Sequence, residues 1–180
     1  MKIKLNKNKI IKEILELAGY LAVFLIIGFF ITNTLIVNAV VISPSMESTV
    51  MTDSRVLGSR ITYLIGDPER FDIILFKFPD DESREPFMKR IIGLPNEKVE
   101  IINGKVYIDN SAVPLDDSFI KEETLGNYGP FFVPDNCYFV LGDNRNNSHD
   151  SKNWSNKFVA RDKIICKVYA EYFPSPKLLK

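Results

Sequence analysis

The sequence predicts a mostly β chain, an all-β domain of about 140 residues behind one N-terminal transmembrane helix. Three observations predict it. No charged residue occurs from Leu17 through Met46. Beyond residue 40, apolar residues fall in short β-branched and aromatic runs bounded by Gly, Pro, Asn and Asp. Past the N-terminal stretch, helical periodicity is scarce.

The helix comes first. Leu17 to Val37, LAGYLAVFLIIGFFITNTLIV, is 21 residues long. At about 1.5 Å per residue it covers the roughly 30 Å of bilayer hydrocarbon. Lys2, Lys4, Lys7, Lys9 and Lys12 precede it, and lysines beside a span favour the cytoplasmic side. The expected division is a basic cytoplasmic N-terminus at 1–16, a transmembrane anchor at 17–39 and an extracytoplasmic β-rich domain at 40–180. Val37-Asn38-Ala39 offers the small or modest residues of a cleavage site. Cleaved signals have an apolar core of only about 7 to 15 residues, so an uncleaved anchor is expected.

The strands follow in order. Phe71 to Phe78, FDIILFKF, lies between Gly66-Asp67-Pro68 and Pro79-Asp80-Asp81. Phe87 to Ile92 is a short run that ends at Gly93-Leu94-Pro95. Val99–Ile102 and Lys105–Ile108 flank Asn103-Gly104, a pair suited to the type I′ turn of a hairpin, where both central residues need positive φ. Tyr138–Leu141 and Ile164–Tyr172 complete the set. Residues 110–135 are rich in Asp, Pro and Gly, so about 97–136 reads as the hairpin plus an inserted loop or small subdomain.

Composition narrows the function classes. Lys and Arg total 23, as do Asp and Glu, and no basic face is evident, so nucleic acid is not an expected partner. With 13 Phe and 7 Tyr the chain can build a real core. Cys137, Cys166 and His149 cannot make a four-ligand zinc site unaided, and neither a metal nor a cofactor is expected. Both cysteines sit in strand-like runs and read first as small buried hydrophobes. A disulfide between them is compatible with export, although nothing in the spacing demands one.

Three segments combine reactive groups with turn chemistry: Ser43-Pro44-Ser45-Met46, then Lys89-Arg90-Ile91-Ile92-Gly93-Leu94-Pro95, then Gly142-Asp143-Asn144-Arg145-Asn146-Asn147-Ser148-His149-Asp150-Ser151-Lys152. A nucleophilic serine needs a base. His149, the only histidine, lies in a polar turn, where a surface role is the commoner one. A lysine can serve if its pKa falls, since at about 10.4 only about one amine in 2,500 is neutral at pH 7. Burial can lower that value by about 3 to 5 units. Period-two alternation puts Phe87, Lys89 and Ile91 on one strand face, so Lys89 has two apolar neighbours there. Taken alone, the same pattern also describes an ordinary solvated lysine.

The joint pattern is more specific. Ser-Pro-Ser-Met just beyond an anchor, Lys-Arg-Ile-Ile-Gly-Leu-Pro, and Gly-Asp-Asn-Arg-x-Asn-Ser-x-Asp-Ser, in this order, resemble the signature boxes of bacterial type I signal peptidases. Phe71 to Pro79, led by Asp67, resembles a further box. The resemblance runs from the anchor to about Lys152, with a continuation to Tyr172. It implies an all-β assembly of antiparallel sheets and a serine endopeptidase with a Ser-Lys dyad, which removes signal peptides from exported pre-proteins at the cell membrane. Ser45 then corresponds to the nucleophile and Lys89 to the general base. Ser148 corresponds to the serine that holds the lysine amine, and Ser43, with the N–H of Ser45, to the oxyanion hole. By the same match Val41, Met46, Val50, Phe87 and Met88 wall pockets for small residues of the Ala-x-Ala type. Asp143, Arg145, Asp150 and Lys152 are expected to clamp the third box through ion pairs and turn hydrogen bonds.

The chain departs from the family pattern in places. Ser48 stands where a proline is usual, Asn146 where an aspartate is usual, Lys152 where an arginine is usual, and Asn96-Glu97 where Gly-Asp is usual. None removes a group the mechanism needs. A soluble self-cleaving repressor with similar Ser-Lys chemistry would lack the anchor. A silent assembly factor would have lost the serine or the lysine. The sequons at Asn146 and Asn153 read as chance spelling.

Overall fold

The computed structural model describes residues 7–81 and 85–179. They form two compact units, divided at Ile36/Val37. The first is a helix, α1 (Lys7–Leu35). Its stretch Asn8–Thr32 is long and apolar enough to cross a membrane. Leu21, Phe24, Ile26, Phe29 and Phe30 are exposed on all sides of it, which suits lipid and not water. Charge is confined to its first turns, where Lys9–Glu13 and Lys12–Glu16 pair one turn apart. The helix stops at Leu35, four residues short of the span's expected end. There the β-branched run Ile36-Val37 and Val40 enters a strand, β1 (Ile36–Val40).

The second unit is two sheets of antiparallel character, with one short helix, α2 (Thr62–Ile65). In chain order its strands are β2 (Arg55–Ser59), β3 (Ile73–Phe76), β4 (Phe87–Gly93), β5 (Lys98–Ile102), β6 (Lys105–Ile108), β7 (Tyr128–Phe132), β8 (Cys137–Leu141), β9 (Val159–Ala160), β10 (Ile164–Phe173) and β11 (Lys177–Leu178). The larger sheet runs β1-β2-β10-β3-β4-β8-β9, with β11 also on β10; the smaller runs β6-β5-β7. The hairpin turn is as its sequence dictates: Asn103 and Gly104 have φ of 49° and 82°. β7 lies within the segment read as an insertion and pairs with β5 through Val99↔Phe131.

Alternation distributes the core on both faces of β3 and β4. Ile73, Leu75 and Met88 pack with Val41, Met46, Val56 and Val168. Ile74, Phe76 and Ile91 face the other way, with Tyr138, Val140 and Trp154. A third cluster, from Ile92, Val99, Ile101, Phe139 and Leu141, joins the two sheets. The register Ile74↔Lys89 sets Lys89 opposite an apolar side chain, so its stem is desolvated by the sheet itself.

Cys137 and Cys166 are free thiols. Cys166 is fully buried, and burial pushes its thiol up to about 11, the behaviour of a small hydrophobe.

Candidate active site

Ser45 sits in a single 3-10 turn, Pro44–Met46, with Pro44 at its first position, where a fixed φ and a missing N–H are both tolerated. Although part of a turn, Ser45 is only 6% exposed. Its neighbour Met46 is fully buried and anchors the turn in the core. Lys89, in mid-strand of β4, is 3% exposed and donates from Nζ to Ser45 Oγ at 2.6 Å. Ser43 Oγ lies 3.1 Å from Ser45 Oγ.

The environment of Lys89 raises the share of the neutral amine. Burial lowers its pKa from 10.5 to about 8, and the positive charge of Lys152 adds to that; Asp150 and Asp143 oppose it. The ammonium form has a ring for company, since Nζ lies 5.5 Å from the centre of Phe87.

The third sequence segment closes over the Ser45 turn. Asn144 donates its backbone N–H to Ser45 O and its side-chain amide to Pro44 O, both at 3.1 Å. A Cβ on Gly142 would meet Ser45 O at 2.4 Å and Ser148 Oγ at 2.2 Å, so only glycine permits this approach. Ser148 Oγ is buried there with no hydrogen-bond partner among the described residues. Asp150 accepts from Gly142 N at 3.0 Å and pairs with Lys152 through both oxygens at 3.0 Å. Asp143 and Arg90, each with a side chain 1% exposed, form a bidentate pair at 2.9 and 2.7 Å. Arg145 donates to Asp117 at 3.3 Å. The carboxylates here are thus occupied with holding backbone and cations.

A groove of about 940 Å³ runs past Ser45 and Lys89. Val41, Met46, Phe87 and Met88 line it, as do Val37–Val40, Leu75 and Ile165. Val50 does not; it is fully buried, in the same core cluster as Met46. His149 is exposed on the groove rim, against Phe78 and Trp154 rings at 5.9 and 6.2 Å. It makes no hydrogen bond to Ser45 among the described residues. Sequence reasoning passed over Arg90, Asn144 and the strand β1. An arginine between Met88 and Ile92 on an apolar face is itself a signal of a buried partner. Which carboxylate it meets, 53 positions away, is a matter of folding.

The chain is similar to known proteins over most of its length. The profile of the family described as "Signal peptidase, peptidase S26" matches residues 13–173. "Probable signal peptidase I-2" of Synechocystis is 40% identical over 141 residues, 76% of this chain and 62% of that protein. "Signal peptidase I S" of Bacillus subtilis is 33% identical over 161 residues, 83% of this chain and 84% of that one. A solved signal peptidase I from Enterococcus faecalis is 32% identical and covers 57% of this chain and 97% of that one, with a TM-score of 0.47.

Proposed function

The chain belongs to the signal peptidase family, peptidase S26, and from that premise we propose that it is a membrane-anchored serine endopeptidase that removes signal peptides from exported pre-proteins. The observation that carries the catalytic assignment is the buried 2.6 Å contact between Lys89 Nζ and Ser45 Oγ. In the neutral form the Lys89 amine takes the Ser45 hydroxyl proton as Oγ attacks the scissile carbonyl. The oxyanion is held by the Ser45 N–H, with Ser43 Oγ as second donor once it turns from Ser45 Oγ. The Lys89 ammonium then gives its proton to the leaving amine, and the C–N bond breaks. Lys89 next takes a proton from water, which attacks the acyl ester; as the bond from Ser45 Oγ to the acyl carbon breaks, the Lys89 ammonium returns the proton to Oγ and the signal peptide's carboxyl end is released. The Ser148 hydroxyl, buried beside Gly142 and without a partner, is suited to orient the amine between these transfers.

The groove supports cleavage after small residues at the first and third positions before the bond. Its walls Val41, Leu75, Met46 and Met88 are apolar. A hydrophobic pocket separates substrates one methylene apart by only about 1–3 kcal/mol, so rejection of large residues rests on steric closure. The lysines ahead of the apolar span at Leu17 support a cytoplasmic N-terminus and an extracytoplasmic peptidase domain. The test is cleavage of a purified pre-protein in detergent by this chain and its Ser45→Ala form. We expect cutting after an Ala-x-Ala motif by the first and none by the second; undiminished cutting by Ser45→Ala overturns the assignment.

A further inference from the structure

Ser48, three residues after the nucleophile, holds a backbone that its side chain does not favour. Glu47 has φ −60° and ψ 140°, Ser48 has φ 96°, and Thr49 N donates to Met46 O at 3.0 Å. That is a type II turn, whose third residue favours glycine or asparagine. Serine gives up backbone comfort here, and its hydroxyl has something to do: Ser48 Oγ donates to Phe119 O at 3.0 Å, across 71 positions of sequence.

Phe119 belongs to the segment between β6 and β7. Its ring lies on the guanidinium of Arg90, 4.2 Å from Cζ to ring centre, with Arg145 at 5.9 Å. Arg90 grips Asp143 in a bidentate pair. Asp143 accepts from Thr49 Oγ1 at 2.5 Å. Thr49 follows Ser48, so the contacts close a circuit: Ser48 to Phe119, to Arg90, to Asp143, to Thr49, and back. The circuit touches both members of the dyad through covalent neighbours or one step more. Arg90 is bonded to Lys89, and Asn144, bonded to Asp143, holds Ser45 O.

We infer that Ser48 is a positioning residue, which acts through Phe119 and the Arg90–Asp143 pair to hold the Ser45 turn in register with Lys89. The inference rests on the Ser45–Lys89 reading. A purely structural residue would move activity and stability together; this geometry separates them. In Ser48→Gly the backbone relaxes and the hydroxyl tie is lost, so the melting temperature holds or rises while kcat falls about tenfold, as reacting groups drift apart, with KM little changed. In Ser48→Asn, which tolerates positive φ and can donate, kcat returns to within about threefold of the parent.

The experiment is single-turnover cleavage of a pre-protein by the full chain in detergent, with thermal melts of each variant and Ser45→Ala as control. Parental kcat in Ser48→Gly beside an inactive Ser45→Ala overturns this inference alone. Persistent cleavage by Ser45→Ala removes the dyad reading, and this inference with it.

Discussion

Lys89 is where sequence, burial and chemistry meet most directly at the scale of one residue. A strand position between Phe87 and Ile91 desolvates the amine, and desolvation outweighs the pull of Asp150 and Asp143 towards the charged form. With the folded pKa near 8, kcat/KM should rise through about pH 8 and level off above it; an acidic optimum would contradict a lysine base. The same shift bears on stability, with a definite sign. The folded value lies below the unfolded 10.5, so between the two the unfolded chain binds more protons and stability rises with pH. Below about pH 8 the fold carries the full burden of a buried ammonium. Lys89→Met should therefore abolish cleavage and stabilise the domain at pH 7 by up to about 3 kcal/mol. The gain should fade between about pH 8 and 10.5, checked by denaturant melts across that range; a constant gain would point to packing and not to charge. Alternation gave Lys89 two apolar neighbours on its face, but that pattern also fits a solvated lysine, and only the joint motif with Ser45 singled it out in the sequence. Arg90 was not read as part of the site because its partner Asp143 is brought to it by the β4–β8 pairing, which no local pattern encodes.

At the scale of elements, legibility followed how local the determining physics is. The β5–β6 hairpin could be read from two residues, Asn103 and Gly104, because turn chemistry is local. β7, with Gly129 and Pro130 inside it, carries no strand signal; it is a strand because β5 offers it an edge. β2 is similarly obscure, with Gly58 inside it, where a Cβ would collide with Cys166 Sγ at 2.5 Å. The end of β8 has a functional counterpart of that crowding at Gly142, which lets Ser45 O and Ser148 Oγ approach its backbone. Gly142→Ala must displace the Ser45 turn or the Ser148 loop. We expect a loss of at least about a hundredfold in kcat/KM with a cooperative melt retained. A fully active alanine variant would mean that the turn tolerates displacement and that its register with Lys89 matters little.

At the scale of the whole molecule, the question is where the anchor ends and the peptidase domain begins. Hydropathy carries the expected anchor past Leu35 to residue 39, since Ile36 and Val37 are as apolar as the helix before them. The backbone divides it differently, with helix to Leu35 and strand from Ile36. Hydropathy measures transfer free energy and does not see the switch from helical to β-branched composition. The difference has a functional consequence. Val37–Val40 line the groove, and β1 is the edge strand that pairs with β2. A soluble form of the enzyme should therefore begin at Val37 and keep β1, whereas one that begins at Val41 loses a groove wall and uncovers the edge of β2. Both should fold, because the core clusters draw chiefly on residues from Val41 onward. The chain from Val37 should cleave an Ala-x-Ala pre-protein and a short peptide of the same site with KM values near those of the parent in detergent. The chain from Val41 should show a KM raised at least about tenfold for both substrates, with its residual cutting still dependent on Ser45. Equal KM values for the two truncated chains would mean that β1 does not contact substrate, and the groove would then be assigned to the walls from Val41, Leu75 and Met88 alone.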